Sequence, residues 1–155
     1  MLDAAVESPV QTLEIKNEER IAAPVDIVFE TLLEHLGPSM ETGPGRSVAM
    51  TLEAWPGGRW FRDLGHNTGH LWGQVQVIKP PALLEICGPF CMSYPAMNHL
   101  QYRLTADGKG TRLAMWHRAI GAILPEHRDG MPGGWAHDLA LIRAAAERRA
   151  QDSPK

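Results

Sequence analysis

The stretch Gly133–Ala150, GGWAHDLALIRAAAERRA, decides the fold. At about 100° per residue, Trp135, Leu139, Ile142 and Ala146 fall within roughly 60° of one another, while His137, Ala144 and Arg148 lie opposite. The pattern predicts a long amphipathic helix with one large aromatic near its N-terminal end. Asp138 is placed to the side of the stripe, so the buried face is expected to carry no acid or base. Ala136 and Ala140 flank it and leave room beside Trp135 and Leu139. An apolar stripe needs an apolar partner, and nearly everything upstream reads as strand and turn.

Taken in order, Leu13–Ile21 reads as a strand whose alternation weakens at Glu18 and Glu19. Ala23-Pro24 opens a helix, with proline at the first position and Asp26 suiting the positive helix end. Val25, Val28, Phe29, Leu32 and Leu36 make its apolar stripe, and Gly37-Pro38 stops it. Short strands follow over 47–54, 59–64, 69–78 and 83–87, separated by Pro56-Gly57-Gly58, the turn 65–68 and Pro80-Pro81. Strands over 96–105 and 111–119 are joined by Asp107-Gly108-Lys109-Gly110, a strong hairpin signal. Residues 120–132 read as a long link to the last helix. Strand, helix, about six strands and a long helix, with no βαβ pattern and no internal repeat, give an α+β chain. Its antiparallel sheet folds around the C-terminal helix.

With 155 residues, 44% hydrophobic and 21% charged, the composition suits one ordinary globular domain. That domain is read as 11–151, between tails at 1–10 and 152–155. The net charge of −3 gives no support for a nucleic-acid or anionic-membrane partner. No run approaches the roughly 20 apolar residues of a membrane span, and the N-terminus lacks the pattern of a secretory signal. Cys87 and Cys91 are too few for a disulfide framework and read as inert thiols. The chain is therefore expected to be cytoplasmic.

Strand parity selects the site residues. Asn98, Leu100, Tyr102 and Leu104 share one face; Leu113, Met115 and His117 share the facing one. His117, Asn98 and Tyr102 are polar groups on an apolar side. They either satisfy one another within the core or orient a ligand in an apolar cavity. Tyr102 and His117 are the weak candidates for acid–base work. Trp135 is expected at the pocket floor with Leu139, and Trp60 joins the aromatic set. In 69–78, polarity puts Leu71, Gly73, Val75 and Val77 inward, whereas the combination of His70 and Trp72 on the other face suits recognition; both faces remain open. His66, His70, His99 and His117 do not assemble a zinc site, because His99 and His117 should point to opposite sides of the sheet. No metal or cofactor is expected. Trp116, in parity with Arg112 and Arg118, should face out, where it would suit a homodimer interface.

The stretches RIAAPVDIVFETL, WPGGRWF, GQVQVIKPPALLEI, YRLTADGKGTRLAMWHR and GWAHDLALIRAAA span most of 14–149. In their order and spacing they resemble the START-like, Bet v 1-like (SRPBCC) superfamily. Within it, they are most similar to bacterial single-domain proteins of the heat-shock-protein ATPase activator-like branch. The resemblance implies a helix-grip fold: an antiparallel sheet of about six to seven strands, curved around the long C-terminal helix, with a pocket beneath. Functionally it implies small apolar ligand binding, cyclase or dehydratase-like chemistry, or co-chaperone activity, and fold alone does not choose among them. The leading expectation is a binding module for a small hydrophobic or aromatic ligand. Its ligand contacts would be Trp60, His70, Trp72, Asn98, Leu100, Tyr102, Met115, His117, Trp135 and Leu139. A cyclase or hydro-lyase using the same pocket and a stress-related co-chaperone are the alternatives.

Overall fold

In the computed structural model, which describes residues 9–153, the chain runs β1 (Gln11–Ile21), α1 (Val25–Leu36), β2 (Thr51–Leu52), β3 (Arg59–Gly65), β4 (Thr68–Lys79), β5 (Leu83–Gly88), β6 (Ala96–Asp107), β7 (Gly110–Gly121) and α2 (Pro125–Asp152). The seven strands hydrogen-bond in the order β1-β7-β6-β5-β4-β3-β2. Every pairing is antiparallel. This is the helix-grip fold that the resemblance implies: a curved sheet holding a long terminal helix. Of the expected tails, residues 1–8 and 154–155 lie outside the described residues.

Local sequence explains most of these elements. The Asp107–Gly110 hairpin closes as expected, with Gly108 at φ 62°. Inward residues alternate cleanly along β6 and β7: Asn98, Leu100, Tyr102 and Leu104 face Leu113, Met115, His117 and Ala119 across one buried surface. The α1 stripe packs as predicted through Val28, Phe29, Leu32 and Leu36, with Val25 half-buried. The α2 stripe of Trp135, Leu139, Ile142 and Ala146 is buried in the same core.

Two expectations are corrected. The long link over 120–132 is not a link: β7 continues to Gly121 and α2 already begins at Pro125. Gly130, Pro132, Gly133 and Gly134 lie within α2, although glycine and proline both disfavour helix interiors. Tertiary anchoring holds this first half. The Tyr94 hydroxyl accepts from the Leu124 amide at 3.2 Å and lies 2.7 Å from His127 Nδ1. The strand expected over 47–54 shrinks to Thr51–Leu52, although Met50 is buried.

The face left open in β4 is decided residue by residue, and neither face wins along its whole length. Trp60 pairs with Gly73 and Phe61 with Leu71, so Trp72 is an extra residue bulged out of the ladder. A bulge sets two residues of one strand against one of its partner and breaks the alternation. Trp72 and Gly73 are therefore both buried, while His70 and Leu71 are both exposed. A second bulge leaves Gln76 unpaired against β5. Glycine is required beside the first: a Cβ on Gly73 would meet the Cys87 carbonyl at 2.7 Å.

Candidate functional site

Beneath α2 lies a hydrogen-bonded node built on His117. The Trp135 indole donates its N–H to His117 Nδ1 at 3.0 Å. An indole nitrogen only donates, so Nδ1 must be the bare nitrogen and Nε2 carries the proton. That proton is donated to Asn98 Oδ1 at 2.6 Å. The Asn98 amide donates in turn to the Gly88 and Pro89 carbonyls at 3.2 and 3.1 Å. The Phe90 ring stacks on His117 at 5.5 Å and meets Trp60 edge-on at 5.3 Å. Burial pushes the His117 pKa down to about 4, so the ring is neutral at physiological pH. Both ring nitrogens are committed, and His117 has no free position for acid–base work.

Above the node, a cleft of about 450 Å³ opens between α2, the connection after α1 and the β4 bulge. Trp135 belongs to both: its N–H is held by His117, and it lines the cleft. Trp72, Met40 and Met131 add apolar wall, Cys91 adds a thiol, and Gly130 and Gly134 leave space where other residues would fill it. Glu41, Thr42, Arg46, Glu126 and His127 bring polar groups, and Glu41 is tied to His137 at 2.8 Å.

Asp138 also lines the cleft. It is 1% exposed, and neither carboxylate oxygen has a hydrogen-bond partner. Burial drives its pKa up to about 7; neighbouring His137 pulls the other way and Glu41 adds to the rise. The expectation that the buried helix face lacks an acid is thus corrected. Asp138 lies about 60° from Trp135 around the helix, and burial extends past it to Ala145. Ala136 and Ala140, expected to make room beside the stripe, are exposed. Tyr102 is fully buried and its hydroxyl has no partner; burial first, and Asp138 second, push its pKa well above the usual phenol value.

The ten residues expected at the pocket therefore divide. Trp72 and Trp135 line the cleft. Asn98 and His117 form the node, with Trp60 against its aromatic roof. Leu100, Tyr102, Met115 and Leu139 are core residues away from the cleft lining. His70 joins none of these: it is exposed, opposite Arg62 at the far end of β3 and β4. Asp138, Met40, Met131 and Phe90 were missed. Phe90 sits at φ 57°, an unusual conformation for a bulky residue and one that strand parity cannot register.

The remaining candidates are dispersed. His99 pairs with Glu85 at 2.9 Å on the outer sheet face, and His66 is exposed in its turn. Among the described residues no group of three His, Cys, Asp or Glu side chains is placed to hold a metal. Cys87 and Cys91 are free thiols, and burial pushes the Cys91 pKa up. Trp116 does face outward, but Lys16 and Arg118 approach its ring at 4.7 and 3.6 Å. No helix among the described residues is long and apolar enough to cross a membrane.

No protein-family model and no curated protein sequence matches this chain. Solved structures do. Protein CV1439 from Chromobacterium violaceum superposes with a TM-score of 0.66 at 19% identity, over 86% of this chain and 96% of that one. A protein of unknown function from Staphylococcus aureus, SA2116, gives 0.67 at 12% identity, over 96% and 100%. CalU16 from Micromonospora echinospora gives 0.59 at 18% identity, over 93% and 92%. At such identities the likeness is one of fold, and the chain shares the sheet and long C-terminal helix of these proteins.

Proposed function

We propose that this chain is a START-like binding module that takes a small hydrophobic or aromatic ligand in the cleft beneath α2. The observation that carries the reading is the cleft itself. Its volume of about 450 Å³ falls in the roughly 300–1,000 Å³ range of small-molecule sites, and Trp72, Trp135, Met40 and Met131 surround a few polar groups. Membership of the SRPBCC superfamily accords with the helix-grip fold, and the heat-shock ATPase activator-like branch remains part of the proposal. So do a cytoplasmic setting and a homodimer. The cyclase or hydro-lyase alternative loses its best base, since His117 is hydrogen-bonded at both nitrogens.

Thermal-shift and native mass-spectrometric screening against small aromatic and aliphatic compounds tests this. Gly134→Leu is the matched control. An added Cβ there meets only the Thr42 carbonyl, at 3.9 Å, so a leucine enters the cleft without disturbing the core. Compounds that stabilise the native chain should fail to stabilise the filled variant. Stabilisation that survives the substitution places the ligand elsewhere.

A further inference from the structure

Resting on that reading, we propose that the ligand carries a protonated amine on its apolar body, with the Asp138 carboxylate as its counter-ion. The argument begins with an unmet requirement. A carboxyl group that is 1% exposed, with neither oxygen bonded, costs free energy unless a partner arrives. It lines the cleft, so the cleft is where such a partner would enter.

The surroundings select the sign of that partner. Glu41, Glu126 and Asp138 line the cleft against Arg46 and His127. Arg46 and Glu126 are exposed, Glu41 is tied to His137, and His127 is engaged with Tyr94. An anionic ligand would meet Glu126 and an unpaired carboxyl. A cation meets both favourably, with the Trp72 and Trp135 rings within the same cleft. A bare metal ion would want several ligating side chains, and no such group of three exists among the described residues. An organic ammonium needs only one carboxylate and an apolar wall.

Titration follows from the same geometry. The other ionisable groups around Asp138 are Glu41 and Arg46 from the α1–β2 connection, Cys91 from the β5–β6 connection, His137, Glu126 and His127 from α2, and Tyr102 of β6. With a pKa raised to about 7, Asp138 is mostly ionised at pH 8 and mostly neutral at pH 6. An arylalkylamine stays protonated across that range, so acidification removes the negative partner and leaves the positive one.

The test compares tryptamine with tryptophol, which share the indole body and differ in the charged group. By isothermal titration calorimetry at pH 8, tryptamine should bind at least about tenfold more tightly. Between pH 8 and pH 6 its affinity should fall about tenfold, while that of tryptophol holds. In Asp138→Asn both the preference and the pH dependence should vanish, with tryptophol binding retained. If that variant fails to fold, the pH series on the native chain decides alone. Tryptophol binding as tightly as tryptamine, or a pH-independent preference, overturns the amine and leaves the cleft reading standing. Binding of neither compound at either pH overturns the amine, and the broader screen with its Gly134→Leu control decides the cleft reading separately.

Discussion

His117 and Asp138 are both withdrawn from water, at 0% and 1% exposure, and they lie on facing elements of one core. Every polar atom of the histidine ring is partnered; neither oxygen of the carboxyl is. The difference separates two reasons for burying a polar group. A satisfied one fixes the positions of its neighbours: here Trp135, Asn98 and the Gly88–Phe90 corner. An unsatisfied one on a cleft wall is a cost that a ligand can remove. Burial alone would have treated the two alike.

The contrast breaks first at His117. His117→Ala strands the Trp135 N–H and the Asn98 carbonyl and leaves a void beneath Phe90. Urea denaturation should show a loss of about 3–5 kcal/mol. A variant of unchanged stability would mean that the node organises nothing.

Asp138→Asn should move the other way. Above pH 7 the native chain holds an unpaired buried carboxylate, so the variant should be more stable by on the order of 3 kcal/mol at pH 8 and nearly equal at pH 4. Lower stability at pH 8 would reveal a partner for the carboxylate and end the comparison.

The pH profile sharpens it further. Below pH 6.5 the unfolded chain takes up a proton on His117 that the folded chain refuses until about pH 4, so this group makes stability fall on acidification. Above pH 3.8 the unfolded chain releases a proton from Asp138 that the folded chain keeps until about pH 7, so this group makes stability fall as pH rises. Between pH 4 and 6.5 the two slopes oppose each other at about 1.4 kcal/mol per pH unit each. Relative to the native chain, Asp138→Asn should therefore gain stability with rising pH in chemical denaturation series. The smallest effect belongs to Tyr102→Phe, which removes a hydroxyl with no partner. A change in melting free energy within about 1 kcal/mol is expected, and a larger loss would show a hidden bond.

Regular periodicity made much of the fold legible. The Trp135–Ala146 stripe, the Asp107–Gly110 hairpin and the alternation of β6 and β7 each repeat long enough to fix a face. The site was legible where it borrowed those periods, at Asn98, His117 and Trp135. It was left open or missed where periods break: Trp72 was a candidate whose face parity could not decide, and Phe90 was not a candidate. Trp72 points inward because a bulge adds a residue, Phe90 through a left-handed backbone, and the first half of α2 is helical despite its glycines and proline. Asp138 was hidden by the width of the buried face: about 60° from Trp135 it reads as lying beside the stripe, yet burial extends past it to Ala145.

The bulge at Trp72 gives this cleft an unusual kind of adjustability. Because the tryptophan is a supernumerary residue in the β3–β4 ladder, its wall is a matter of chain length as well as side-chain type. Deleting that one residue would let Phe61, Trp60 and their partners pair without interruption while removing the ring from the cleft. Substitution keeps the bulge and changes what it presents. Two routes of variation, one by indel and one by exchange, thus converge on a single face of the cleft.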